Sequence, residues 1–145
     1  MKLVILESPF AGDVERNIKY ARAAVRDSLL RGEAPIASHL LYTQDGVLND
    51  DIPEERQHGI DAGLAWREVS HGTVVYTDFG FSRGMEYGMA RARESGKTVE
   101  LRTLPPEVLA ELFPEVMANL ARISLERKAQ PLFPSSQELS NDPSS

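Results

Sequence analysis

The sequence predicts a single α/β domain, a parallel sheet flanked by helices, on three observations. Leu3 to Leu6, Ala34 to Leu41, Thr73 to Tyr76 and Thr98 to Leu101 are short apolar runs of strand length. The segments between them carry helical apolar spacing together with helix start and stop residues. The first run is continuous rather than alternating, as a strand covered on both faces requires. Strands joined through helices form right-handed βαβ units, which bind ligands beyond the carboxyl ends of the strands.

Each element has its own signals. After Leu3 to Leu6, the segment Glu7 to Gly12 reads as a loop, and Asp13 caps a helix whose Ile18, Ala21, Val25 and Leu29 recur at helical spacing until Arg31-Gly32. The second apolar run, Ala34 to Leu41, is expected to be a strand ending before Tyr42 or Thr43, followed by a polar loop through Asp51 that contains Asp45-Gly46. Pro53 at a first helical position, with Glu54 and Glu55 beside it, opens a helix ending around Val69. Thr73 to Tyr76 is the third strand, Ser82 caps a helix through about Ser95, and Ser95-Gly96-Lys97 turns into the fourth strand. A final helical region from about Pro106 to Lys128 is kinked or interrupted at Pro114, with Val108, Leu109, Leu112, Val116, Leu120 and Ile123 on an apolar face. Residues 1–128 thus form the domain, and residues 129–145, rich in Pro, Ser and Asn, read as a flexible tail.

Composition narrows the function. At 145 residues one domain with a real core is expected. The chain has no cysteine, which excludes disulfides, thiolate catalysis and cysteine-based metal sites. A net charge of −6, with Lys and Arg scattered among acids, argues against binding a nucleic-acid polymer and favours a small molecule. The apolar start is too short for a signal peptide, and no run approaches the roughly 20 residues that span a bilayer, so a cytoplasmic protein without membrane contact is expected. His39, His58 and His71 show no metal-ligand spacing, and no metal or cofactor is expected.

The most informative segment is Val74 to Gly88, a strand, a loop bearing Asp78 and Gly80, and a helix opening at Ser82. It places Glu86 in a first helical turn, where unpaired N–H groups and the helix dipole favour an ionised carboxylate suited to act as a nucleophile. Three loops are expected to converge at the sheet's carboxyl end: Ser8-Pro9-Phe10, the segment starting near His39, and Asp78 to Glu86.

The first apolar strand with Ser8-Pro9-Phe10, the run Gly84-Met85-Glu86-Tyr87-Gly88-Met89-Ala90, and Gly96-Lys97-Thr98-Val99 together resemble the nucleoside 2-deoxyribosyltransferase family and its Rossmann-like nucleotide-binding relatives. The likeness in element order spans roughly residues 3–102. It implies a flavodoxin-like, usually oligomeric α/β fold that cleaves the N-glycosidic bond of deoxynucleosides or deoxynucleotides. By that resemblance Glu86 is the nucleophile, attacking the anomeric carbon, and Ser8, Pro9, Phe10, Asp78, Ser82, Gly84 and Met85 form the substrate site. No cofactor is implied. The family's Asp on the helix before the third strand falls at Gly63 here, so that either Asp61, the closest acid, serves in its place or the chain binds a nucleotide-like ligand without transferring a sugar, and His71 stands where relatives have an Asp.

Each of these residues has a plainer reading. Glu86 also fits a solvent-facing acid, Asp78 a turn former, Phe10 a core plug and Ser82 a helix cap, although Ser82 and Arg83 are also placed to receive a 5′-phosphate. Trp66 and the Met85–Met89 pair read as packing groups, and His39 as a structural histidine in a strand. Two further classes of function stay open: a noncatalytic nucleotide-binding or nucleotide-sensing module using the same cleft, and an interaction protein that docks a partner on its last helix.

Overall fold

A computed structural model describes residues 1–130, and the expected tail, apart from its first two residues, lies outside them. The chain divides into two compact units, Met1–Leu104 and one beginning at Pro105. The first carries the sheet: β1 (Lys2–Glu7), β2 (Glu33–Ile36), β3 (Gly72–Tyr76) and β4 (Thr98–Arg102), all parallel, in the order β2-β1-β3-β4. Ile5 lies opposite Thr73 and Ile36, and Thr73 opposite Val99. The chain moves outward from β1 to β2 and then returns across β1 to β3, so the topological switch lies between β1 and β3. This is an α/β Rossmann-like fold, as the strand and helix alternation predicts.

Between the strands run α1 (Val14–Leu30), α2 (Ser38–Leu41), α3 (Pro53–Val69) and α4 (Arg83–Glu94). Asp13 caps α1 by accepting the Arg16 N–H, and Gly32, at φ 83°, turns the chain out of it in a conformation that disfavours side chains. The two faces of β3 divide by the alternation of a strand. Val75 packs on Met85 and Met89 of α4, whereas the Tyr76 hydroxyl donates to Asp27 of α1 at 2.6 Å. On the α1 side, Arg102 makes two hydrogen bonds to Glu33, at 2.7 and 2.8 Å, and one to Glu100. Those bonds hold both carboxyls below their usual range.

One expectation needs correction. The second strand stops at Ile36 rather than continuing to Leu41, and Ser38–Leu41 form a helical turn instead. The cause is tertiary. Position 63 on α3 approaches so closely that a Cβ there would sit 2.9 Å from Ser38 Oγ, while His39 reaches back to Ser8. His39 is therefore a helix residue. In the other unit the last helical region is interrupted at Pro114, as expected, and gives two helices, α5 (Pro106–Leu112) and α6 (Pro114–Ala129). Phe113, at φ −136° and ψ 63°, leaves helical geometry because Pro114 disfavours it in the residue before. On α6, Leu120 and Ile123 are exposed.

Candidate functional site

At the carboxyl end of the sheet the loop after β1 is tied to the α2 turn, and the loop after β3 is tied to α1 and to Leu104 after β4. Ser8, almost fully buried, hydrogen-bonds its Oγ to His39 Nε2 at 2.6 Å. Asn17, inside the protein, donates from Nδ2 to the carbonyls of Phe10 and Ala11 and so fixes the loop that also contains the buried Pro9. Asp78 Oδ2 accepts from the Tyr20 hydroxyl at 2.6 Å and from the Leu104 N–H at 2.9 Å, while the Asp78 N–H donates to Tyr20. Phe79 meets the Tyr20 ring edge to face and lies under the Arg16 guanidinium. Ser8 thus ties its loop to the α2 turn, Asp78 ties its loop to α1 and to Leu104, and Phe10 is half-buried.

Glu86 lies elsewhere on this end. Ser82 caps α4 by accepting the Met85 N–H at 3.2 Å, and the Met85 thioether in turn accepts the Ser82 N–H. Met85 is buried in the core, Gly84 is exposed, and Glu86 projects from the first turn. Its carboxylate is exposed and has no hydrogen-bond or ion-pair partner among the described residues. At about 100° per residue, Gly88 and Glu86 point to nearly opposite flanks of the helix. Gly88 faces Glu7 of β1, so Glu86 opens away from the switch. There it shares a groove of about 290 Å³ with Phe81, Met89 and Arg93. A second groove, about 320 Å³, lies over Val25, Ile36 and Leu40, with Arg22 its one ionisable lining group. Lacking an acid or nucleophile, it offers no bond-making chemistry, whereas the Glu86 groove places a carboxylate, a guanidinium and a half-exposed aromatic ring together.

Behind α4 lies a buried ion pair that the sequence reading did not single out. Arg67 donates to Glu7 Oε1 at 2.9 Å and to Thr73 Oγ1 at 2.9 Å. Burial pushes the Glu7 carboxyl up to about 7, against the pull of Arg67. Burial also pushes the His39 imidazole down, to about 4. These shifts have opposite consequences for stability. The folded state binds a proton at Glu7 that the unfolded chain does not hold between pH 4.5 and about 7, so this contribution is full below that window and lost as pH rises through it. His39 is the reverse: its contribution is full above pH 6.5 and lost as pH falls toward about 4. In the overlap the two slopes oppose each other. Denaturant unfolding between pH 4.5 and 6.5 is expected to show Glu7→Gln losing stability on acidification, at up to about 1.4 kcal/mol per pH unit. His39→Gln is expected to gain stability over the same interval. Parallel slopes in the two variants would contradict both assignments.

At the α3 position where the resemblance places an acid stands Gly63. Gly63 is packed on Ser38, and Asp61 is exposed and accepts from Gln57 one turn earlier. His71 has a structural part, its Nδ1 accepting the Leu3 N–H and its own N–H donating to the Leu3 carbonyl. Trp66 is half-exposed and donates its indole N–H to Tyr42, so it is less a packing group than its type suggests. Phe81 and Arg93 were missed as site residues. Arg93 lies seven residues after Glu86, two helical turns along the same flank, a spacing visible in the sequence. Among the described residues, no three His, Cys, Asp or Glu side chains gather as metal ligands, and no helix is long and apolar enough to cross a membrane.

No curated protein and no solved structure matches the chain. The family described as Domain of unknown function (DUF7768) matches residues 2–102, which contain the whole sheet, the loops after β1 and β3 and the Glu86 groove. Because that match covers well over half of the sequence, the protein belongs to the DUF7768 family.

Proposed function

We propose that the protein cleaves the N-glycosidic bond of deoxynucleosides or deoxynucleotides in the Glu86 groove. The observation that carries this reading is the unpaired, exposed Glu86 carboxylate in the first turn of α4, beside Phe81 and Arg93. Glycosidic cleavage develops positive charge on the anomeric carbon that such a carboxylate stabilises or captures. A Glu86 oxygen bonds to the anomeric carbon as the carbon–nitrogen bond breaks. The departing base keeps that electron pair and takes a proton from solvent. Water then attacks the same carbon, the ester bond returns its electrons to Glu86, and the water's second proton passes to solvent. A second base in place of water makes the reaction a transfer. Phe81 offers a face for base stacking, and the groove's volume suits a ligand of nucleoside size. By the same reading the protein is a cytoplasmic homo-oligomer; the exposed Leu120 and Ile123 on α6 support self-association.

Gly63 favours a second reading. With no acid at that position to assist the departing base, the groove also suits a module that binds or senses a nucleotide without breaking it. One experiment separates them. The protein is incubated with a panel of deoxynucleosides and their 5′-monophosphates, with and without a second free base, and products are followed by chromatography. Base release is expected, and exchange in addition identifies a transferase. Silence across the panel, with a ligand nevertheless raising Tm, selects the binding module.

A further inference from the structure

We infer that the free edge of β4 is a self-association surface, on which the β4 of a second copy pairs antiparallel with Leu101 opposite Leu101 of the partner subunit, joining two four-stranded sheets into one. Such pairing rests on the homo-oligomer proposed above, puts its contact on the sheet rather than on α6, and does not depend on the chemistry at Glu86. A flavodoxin-like sheet of order 2-1-3-4-5 continues beyond its fourth strand, whereas among the described residues this one stops at β4. Thr77 donates its backbone N–H and its hydroxyl to the Arg102 carbonyl, so that carbonyl faces β3. Backbone polar groups alternate sides along a strand, so those of Val99 and Leu101 face away from β3, where they have no partner among the described residues.

The two edges of the sheet differ. β2 carries Pro35, which removes a donor and guards its edge against pairing. β4 contains no proline, and its Leu101 is 55% exposed. Lys97, just before the strand, is no guard either, because its ammonium is held by the carbonyls of Glu68 and Ser70. Charge then selects the register. Glu100 and Arg102 lie on the α1 face of the strand, Val99 and Leu101 on the α4 face. With Leu101 on the two-fold axis, Glu100 stands opposite the partner's Arg102, in a non-hydrogen-bonded position where side chains come closest. Glu100 is exposed, and Arg102 Nε has no hydrogen-bond partner among the described residues. Moving the axis to Glu100 sets two like carboxylates face to face instead, which is disfavoured. The plain alternative is an edge left bare because its strand is only five residues long.

The test is sedimentation of the full chain over a concentration series reaching about 100 μM, with disulfide trapping in a chain that has no cysteine of its own. The wild type is expected to dimerise within the series. Leu101→Pro removes an edge N–H and leaves the β3–β4 ladder intact, so it is expected to weaken the dimer by about tenfold or more, with Tm at low concentration close to wild type. Under mild oxidation Leu101→Cys is expected to cross-link, its two Cα atoms standing about 5.5 Å apart across the axis. Val99→Cys, which faces the partner's Thr103, is not. A wild type that stays monomeric throughout overturns the edge pairing and the homo-oligomer together, and leaves the edge bare or open to a strand of another protein. A dimer lost in Leu120→Asp or Ile123→Asp but kept in Leu101→Pro moves self-association to α6 and overturns the edge pairing alone. So does cross-linking of Val99→Cys as fast as Leu101→Cys, which requires another register. Should Leu101→Pro fail to fold, the two cysteine variants decide by themselves.

Discussion

Replacing Gly88 with alanine is expected to destabilise the protein by about 3 kcal/mol, lowering Tm by about 10 °C, although the change adds a single methyl group. A Cβ at position 88 would lie 2.3 Å from Glu7 Oε1 and 2.8 Å from Cδ, well inside contact distance, and 3.2 Å from an Arg67 nitrogen. Neither neighbour yields easily. Only 16% of the Glu7 side chain and 8% of the Arg67 side chain are exposed, and Arg67 is also tied to Thr73. Above about pH 7, where Glu7 is ionised, displacing the carboxylate leaves a buried guanidinium without its counter-charge, the costly way to break such a pair. Thermal or denaturant unfolding of Gly88→Ala reads the effect directly. A double-variant cycle with Glu7→Ala assigns the cause, since the glycine substitution should do much less harm once the carboxylate is gone. A Gly88→Ala protein within about 0.5 kcal/mol of wild type would mean that Glu7 swings aside, and the packing account of α4 on β1 would be wrong.

What the sequence made legible follows from where the signals lie. α3 begins at Pro53 and ends at Val69 as expected, because a proline at the first position and acids in the first turn are local signals that tertiary contacts have no reason to override. The α4 cap was legible for the same reason, and with it the placing of Glu86 in a first turn. β2 was misread because what ends it is not local. Apolar residues through Leu41 suit a strand, but the chain turns where Ser38 meets Gly63 and His39 meets Ser8, contacts made only after the fold closes. That the loops after β1 and β3 lie at the sheet's carboxyl end was legible from topology, whereas the pairing of Asp78 with Tyr20, 58 residues away, was not. The groove follows the same rule. Glu86, Met89 and Arg93 are spaced visibly along α4, yet which flank opens to solvent depends on Gly88 facing Glu7, and no periodicity states that.

Glu86→Gln is expected to reduce base release by about a thousandfold or more while the protein stays folded. The substitution keeps the side chain's size and removes the charge on which capture of the anomeric carbon depends. Since Glu86 is exposed and unpaired, the stability change should be limited to the lost interaction with the helix dipole, about 1 kcal/mol or less. The deciding measurement is the rate of base release from the deoxynucleoside and 5′-monophosphate panel for wild type and Glu86→Gln, with unfolding curves for both. Release by the wild type that disappears in a folded Glu86→Gln protein is the predicted result. Release at a near-wild-type rate by the folded variant would contradict the account and remove Glu86 as the nucleophile.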